Sequence, residues 1–326
     1  MSAHRVTSLP EMVATLPFML GYHPSDVLVA VFIGGERASV ASVVWGESAS
    51  GLASDPGGLC VALDSVTRAG ADTVVLIAVD AADGPERIQI VGDAARDAGM
   101  RVHTRAIVHG DLVTDLDAGM TEQVPPLSAS AMAEFVAVGV HPMPSREAIA
   151  DAFEPTETED TDAVWSTNGH TLTDAVRAWT PILAPDAAPV ASLPAEVIAK
   201  AASALEHVGT RDALMSKVIP GTPGEVAQLA PAEARAVVEG LPATPADGPS
   251  AALVADRLRV MATRLSDEHA TPTLTVAAAL YWWIGDGARA RIALDRALKS
   301  HPDYTLALVL MRMLDTGIRL QETAKA

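Results

Sequence analysis

Four polar side chains stand next to predicted strands and have the chemistry of a ligand site: His23, Asp80, His109 and Asp111. Imidazole and carboxylate groups can hold or move a proton, and both can bind a metal ion. Asp80 directly follows an apolar run, and His109 and Asp111 follow the next predicted strand. If these strands are parallel neighbours, their carboxyl ends meet at one edge of the sheet, where ligands of open α/β sheets bind. The spacing therefore predicts an acid–base or metal-assisted site at this edge.

The same residues are also typical of tight turns. In His23-Pro24-Ser25-Asp26 the proline fixes φ, and the serine and aspartate side chains can accept hydrogen bonds from nearby amides. Aspartate and glycine in 109–111 suit a turn equally well. A turn and a ligand site are therefore both open interpretations of each segment.

No sequence motif selects a cofactor. The chain lacks the phosphate loop G-x-x-x-x-G-K-[ST], the dinucleotide fingerprint G-x-G-x-x-G, the zinc motif H-E-x-x-H and the nucleophile elbow G-x-S-x-G. The single cysteine, Cys60, excludes a Cys-rich metal site and a disulfide within the chain. Its position between Leu59 and Val61 predicts a small apolar core residue. Cofactors stay unassigned, and the sequence gives no metal site of its own.

Composition limits the class of partner. A chain of 326 residues with 49% hydrophobic and 20% charged residues can build about two domains with a substantial core. The formal net charge of −18 disfavours nucleic acid and anionic membrane surfaces as partners. We find neither an uninterrupted apolar stretch of membrane-spanning length nor the apolar region of a signal peptide. These features predict an acidic protein of the cytoplasm.

The first half of the chain has the pattern of an α/β domain. Val-rich or alternating runs predict strands at 26–33, 38–45, 73–79 and 101–108, the first two as a hairpin. Helices are predicted at 8–20, 56–69, 85–99, 128–138 and 145–153, and Pro17 is expected to kink the first helix or end it early. The strand–helix–strand order after residue 72 indicates a mixed sheet with a right-handed crossover. We place this α/β domain at residues 1–153.

The second half is predicted to be all-helical. Residues 154–170 begin with the acidic, threonine-rich run EPTETEDTD and are expected to form a linker or loop. A helical domain at 171–326 follows, in which we find no convincing strand. Its predicted helices are 171–178, 194–208, 210–218, 231–239, 250–265, 271–284, 288–299 and 305–316.

One helical pair has the spacing of a tetratricopeptide hairpin. Tyr281, Gly285, Ala290, Ala297 and Pro302 follow Y-x3-G-x4-A-x6-A-x4-P. Small alanine side chains let two antiparallel helices pack closely, and the glycine turns the chain between them. A single repeat does not make a self-supporting array, so the pattern predicts either a repeat-like binding surface or an ordinary hairpin that caps the domain.

Two longer stretches carry a resemblance to a known family. They are 16–26, LPFMLGYHPSD, and 285–304, which contains GDGARARIALDRAL and HPDY; 144–147 and 208–212 add to it. With these segments the chain resembles the domain of unknown function family DUF4192, which occurs mostly in high-GC Gram-positive bacteria and some of their phages. Tyr22 stands where the family usually has Phe. The resemblance implies one continuous homologous unit and carries no activity, cofactor or catalytic residue.

Two function classes remain open from the sequence. The first is a non-enzymatic interaction or regulatory protein that uses its helical half to bind a protein partner or a second copy of itself. The second is a small-ligand-binding protein or a metal-assisted enzyme with a site at Asp80, His109 and Asp111, together with His23. The sequence favours the first by a narrow margin, because it contains no catalytic motif.

Overall fold

The fold is seen in a computed structural model that describes residues 8–34, 39–127, 141–156, 159–166, 171–184, 188–219, 222, 224–242 and 248–315. The helix predicted at 128–138 lies outside these residues. The chain divides into two compact units, one of residues 1–146 with 315–318 and the other of residues 147–314 with 319–326. As expected, the first contains a mixed sheet with helices and the second is helical in its described parts.

The α/β unit contains six strands and four helices among its described elements. Their bounds are α1 Leu9–Leu20, β1 Val27–Gly34, β2 Ser39–Trp45, α2 Ala49–Ser54, α3 Pro56–Arg68, β3 Thr73–Val79, α4 Gly84–Asp97, β4 Arg101–His109, β5 Leu112–Asp115 and β6 Met120–Gln123. A further short helix, α5 Arg146–Asp151, begins at the boundary between the units.

The six strands form one sheet in the order β2-β1-β3-β4-β5-β6. Only β3 and β4 run parallel, and the helix α4 connects them. The other neighbours are antiparallel, including the predicted β1–β2 hairpin. The carboxyl ends of β3 and β4 therefore lie side by side, which is the arrangement that the site hypothesis needs.

The core of this unit lies between the sheet and the helices α2 to α4. Every residue of β3 is buried, since the strand lies in the middle of the sheet with both faces covered. Leu28 and Phe32 of β1 and Leu76 of β3 join Leu63 of α3 and Val91 of α4 in one apolar cluster. Continuous apolar runs such as Thr73–Val79 are thus buried strands, as the sequence predicts.

One local prediction fails for a geometric reason. Cys60 is exposed instead of lying in the core. The helix α3 buries Leu59, Leu63 and Val66 on one face, and a residue one position after Leu59 is turned about 100° away from that face. The helix α1 does not end early at Pro17 but continues to Leu20, and the left-handed Gly21, whose φ is 78°, follows it.

The second unit is built from helices. Their bounds are α6 Glu159–Ser166, α7 Leu172–Arg177, α8 Thr180–Leu183, α9 Ala195–Ser203, α10 Val208–Val218, α11 Ala232–Gly240, α12 Gly248–Thr263, α13 Asp267–Ile284, α14 Gly287–Ser300 and α15 Thr305–Asp315, with 3-10 turns at Val190–Ser192 and Gly224–Leu229. Within the described residues, no helix is long and apolar enough to cross a membrane.

The segment expected to be an acidic linker contains the helix α6. Its acidic run ends at Asp162, and Ala163-Val164-Trp165 follows. Thr161 is fully buried, and the Trp165 ring stacks on His269 with 3.9 Å between ring centroids. The linker prediction rests on the first nine residues of the segment and does not take account of these apolar residues.

The tetratricopeptide-like residues form a helical hairpin. The helices α13 and α14 pack against each other and are joined at Gly285, which has a φ of 91°. Ala290 and Ala297 are fully buried, as close helix packing requires. Tyr281 is buried as well, and its hydroxyl donates to Asp256 Oδ1 at 2.7 Å. Burial raises the pKa of Tyr281 well above its ordinary value, and the neighbouring Asp256 carboxylate adds to the effect.

Candidate functional site

A cleft of about 610 Å³ opens in the α/β unit at the carboxyl ends of β3 and β4. Its walls are mostly apolar and come from α1, the two strand ends and the segments around residues 24 and 125. The described residues that line it are Val13, Ala14, Leu16, Pro17, His23, Pro24, Ser25, Val79, Asp80, Val108, Gly110, Asp111, Val124, Pro125, Pro126 and Pro144. Three of the four residues proposed from the sequence, His23, Asp80 and Asp111, therefore line one cleft.

Asp80 is held in an unusual backbone conformation at the end of β3. Its φ is 48°, in the left-handed region that side chains other than glycine rarely adopt, although aspartate tolerates it better than most. The Asp80 amide donates to Val108 O at 2.9 Å, and Asp80 Oδ1 accepts from the Gly110 amide at 3.1 Å. The carboxylate is thus fixed between the ends of the two parallel strands.

Gly110 and Asp111 form the two-residue turn between β4 and β5. His109 pairs with Leu112, and Gly110 has a φ of 59°. Asp111 Oδ2 accepts from Gln123 Nε2 at 3.0 Å, and Asp111 O accepts from the Val124 amide at 2.8 Å. The turn interpretation is therefore confirmed, and the same turn also places Asp111 at the cleft.

His109 lies beside this cleft and is absent from its described lining. Its Nδ1 is 3.9 Å from Asp80 Oδ1, and 68% of its side chain is exposed. Successive residues of a strand point to opposite faces, and the neighbouring Val108 lines the cleft. His109 is therefore near Asp80, but it lies on the face of β4 opposite the face that lines the cleft.

His23 reaches the cleft from the segment that connects α1 to β1. The His23 amide donates to Met143 O at 3.0 Å, and the Met143 amide donates to Gly21 O at 2.9 Å. Tyr22 and Met143 form a parallel bridge between these two segments. The backbone that leads into His23 is thus fixed, and Pro144, next to Met143, lines the same cleft.

The charges in the lining have one sign. Asp80 and Asp111 carry carboxylates, His23 is titratable, and none of the described lining residues is a lysine or an arginine. Two carboxylates at an opening with apolar walls produce a negative potential that the low dielectric of the walls strengthens. Within the described residues, no group of three or more His, Cys, Asp or Glu side chains could hold a metal ion.

A buried arginine joins two of the segments that form the cleft, and sequence reasoning missed it. Arg87 of α4 donates from Nη1 to Asp26 O at 2.9 Å and from Nη2 to Asp26 Oδ1 at 2.8 Å. Its Nε is 2.6 Å from Asp83 Oδ1, and Asp83 Oδ2 accepts from the Ala49 amide at 2.7 Å. The sequence pattern that could have revealed Arg87 is its four-residue spacing from Asp83, because residues four apart lie on one face of a helix and can form an ion pair.

These contacts change the acidity of Asp83. The hydrogen bond from the Ala49 amide and the nearby Arg87 guanidinium stabilise the carboxylate, and together they lower the pKa of Asp83 below its ordinary value of 3.8. Asp83 therefore stays ionised at neutral pH, and the ion pair with Arg87 is maintained.

The fold and the cleft together define a two-unit protein: a mixed α/β unit with an acidic, apolar-walled cleft at its parallel strand ends, and a helical unit. The model of a protein family described as a domain of unknown function (DUF4192) matches residues 10–320. The chain belongs to this family, as its end motifs indicate. No curated protein and no solved structure matches the chain significantly.

Proposed function

We propose that this protein binds a small organic cation in the cleft of its α/β unit. The observation that carries the proposal is the pair of carboxylates, Asp80 and Asp111, on an apolar-walled cleft of about 610 Å³ at the carboxyl ends of β3 and β4. Clefts of this size, with few polar groups among apolar walls, are typical of small-molecule sites. The position at the ends of parallel strands agrees with the general rule for ligands of α/β sheets.

The atoms of the cleft suggest how a cation would bind. Asp80 Oδ1 accepts from Gly110, so we assign Oδ2 as the acceptor for an ammonium or guanidinium group of the ligand. Val79 and Val108 line the same cleft and would contact the apolar body of the ligand. His23 would bond a further polar group of it. Hydrogen bonds between ionised partners are roughly twice as strong as neutral ones, so charge would dominate recognition.

We further propose that binding takes place in the bacterial cytoplasm. The net charge of −18 keeps copies of the chain apart by mutual repulsion and so favours solubility. The exposed Cys60 thiol stays reduced in the cytoplasm, where disulfides are rare. The bacterial setting is what the family resemblance implies, and the family model matches nearly the whole chain, residues 10–320.

Calorimetry with a charge series tests the proposal. Phenethylammonium, phenethyl alcohol and phenylacetate share an aromatic ring and differ in charge. We expect saturable binding of the cation to the full chain, much weaker binding of the alcohol and none of the anion. Affinity for the cation should fall as salt rises, because the attraction is electrostatic. Equal binding of all three compounds, or preference for the anion, would contradict the proposal.

A second function is supported by the surface of the helical unit. Val208 and Leu229 are more than half exposed, and they are neighbours because Gly209 packs against the carbonyl oxygen of Leu229. One helical turn after Val208, Arg211 donates to the Tyr304 hydroxyl at 3.0 Å, and Leu308 is exposed one turn after Tyr304. We propose that the exposed apolar side chains Val208, Leu229 and Leu308 together bind an apolar segment of a partner protein.

A double substitution tests the second proposal. Val208→Ser with Leu308→Ser removes two exposed apolar side chains, so the fold should persist while a polypeptide that co-purifies with the parent chain is lost. The matched control is Val61→Ser, which changes an exposed valine in the other unit. Native mass spectrometry of the purified proteins gives the result. If the double variant retains the same polypeptide, or if Val61→Ser also loses it, this surface is not the contact.

A further inference from the structure

We infer that Arg87 is a positioning residue for the cleft: it fixes the segment that contains His23, Pro24 and Ser25 against the loop that contains Asp80. The inference rests on the proposed function, since it concerns the same cleft. Arg87 does not line the cleft itself. It acts through Asp26, which directly follows Ser25, and through Asp83, three residues after Asp80.

The first contact holds a strained residue. Asp26 has a φ of 52°, and Asp80 has a φ of 48°; these are the two described residues other than glycine with positive φ. Such conformations persist only where the surroundings fix them. Arg87 does this for Asp26 by bonding both its backbone oxygen and its Oδ1. The direction in which the chain leaves Ser25 therefore depends on the guanidinium group.

The second contact fixes the other loop. Asp83 lies between Asp80 and the start of α4. Its Oδ1 forms an ion pair with Arg87, 2.6 Å from Nε, and its Oδ2 accepts a hydrogen bond from the Ala49 amide. The loop of Asp80 is thus tied both to the segment before β1 and to the start of α2. One side chain therefore links the strained Asp26 to the loop that contains the second strained residue, Asp80.

The geometry requires arginine in particular. The Arg87 side chain is only 4% exposed, so its guanidinium has little freedom to turn. Its planar fork bonds Asp26 through the two Nη atoms while Nε faces Asp83. A lysine ammonium is a single point on a flexible stem and does not reproduce this arrangement. Arg87→Lys therefore keeps the charge and removes the geometry.

The test uses nuclear magnetic resonance spectra of the full chain, well below its unfolding temperature. In Arg87→Lys we expect the signals of His23, Ser25 and Gly110 to shift or broaden, while signals of the helical unit, such as Gly209 and Gly285, stay in place. Arg96→Lys is the matched control, because Arg96 lies on the same helix in an exposed pair with Asp93. A purely stabilising role would shift only the signals next to Arg87 and its direct partners, Asp26 and Asp83, and would leave those of His23 and Gly110 in place. Unchanged His23, Ser25 and Gly110 signals in folded Arg87→Lys would therefore overturn the inference.

Asp26→Asn gives the same information if Arg87→Lys does not fold. The Asp26 side chain is 70% exposed, asparagine tolerates positive φ, and the bond from Arg87 to the backbone oxygen is retained. We expect smaller shifts of the same signals, and none at all would contradict the inference. Phenethylammonium affinity should fall about fivefold in Arg87→Lys and stay constant in Arg96→Lys. If no small organic cation binds the parent chain, the proposed function fails, whereas the spectra still decide the role of Arg87.

Discussion

Replacement of Asp80 by asparagine is expected to weaken phenethylammonium binding by about 10- to 100-fold. A hydrogen bond to a charged group contributes about 1.5–3 kcal/mol, and each 1.4 kcal/mol corresponds to a factor of ten in affinity. Asparagine is isosteric with aspartate and accepts the positive φ of 48°, so the strand end should keep its shape. The substitution keeps the Oδ1 acceptor for Gly110, removes the charge and replaces the acceptor Oδ2 by a donor NH2 group, and calorimetry measures the resulting loss directly.

The control for Asp80→Asn is a carboxylate of the same unit that is remote from the cleft lining. Asp93 on α4 is 55% exposed and pairs with Arg96, so Asp93→Asn should leave the affinity unchanged. Asp111→Asn should lie between the two, because Asp111 lines the cleft and also bonds Gln123. If Asp80→Asn and Asp93→Asn bind the cation equally well, Asp80 is not the ligand's partner.

Replacement of Arg257 by methionine is expected to lower the free energy of unfolding by about 3 kcal/mol. Arg257 of α12 is buried, and it donates to three backbone oxygens, those of Ile182, Pro181 and Ala188, at 2.6 to 2.9 Å. Burial lowers the pKa of Arg257. Methionine fills much of the same volume but donates no hydrogen bond, and each buried acceptor left without a partner costs about 1–3 kcal/mol.

Urea denaturation followed by tryptophan fluorescence measures this effect. Four of the five tryptophans, Trp165, Trp179, Trp282 and Trp283, lie in the helical unit, so the signal reports on that unit. The control is Arg177→Met, because the Arg177 side chain is 64% exposed and pairs only at the surface of a helix. Equal midpoints for Arg257→Met and the parent chain would mean that the three carbonyl contacts contribute little to stability.

The sequence predicts the sheet well where burial determines the pattern. The apolar runs of β1 and β3 lie in the middle of the sheet, so their residues are apolar on both faces and stand out. The four-residue strands β5 and β6 were missed, because β6 is exposed throughout and β5 contains a single buried residue, Val113. Short strands at an exposed edge have no hydrophobic period to detect.

The candidate site was predictable in part for the same reason. Asp80 and Asp111 follow two strands that the sequence predicts, and the parallel pairing seen in the structure brings the ends of these strands together. His23 could be named but not placed, since its position depends on the pairing of Tyr22 with Met143, far along the chain. The contacts of Arg87 depend on a loop 61 residues earlier, and no local pattern reports such a partner.

The most direct test of the central claim is a titration of the isotope-labelled full chain with small ammonium and guanidinium compounds, phenethylammonium among them, followed by amide spectra. If the cleft binds cations, at least one compound should shift the amides of Ser25, Asp80, Gly110 and Asp111 in a saturable way. At equal concentration the same compound should shift these amides much less in Asp80→Asn, because the affinity is expected to fall about 10- to 100-fold. If no compound shifts them, or if saturable shifts fall only in the helical unit, the cleft is not a site for cations.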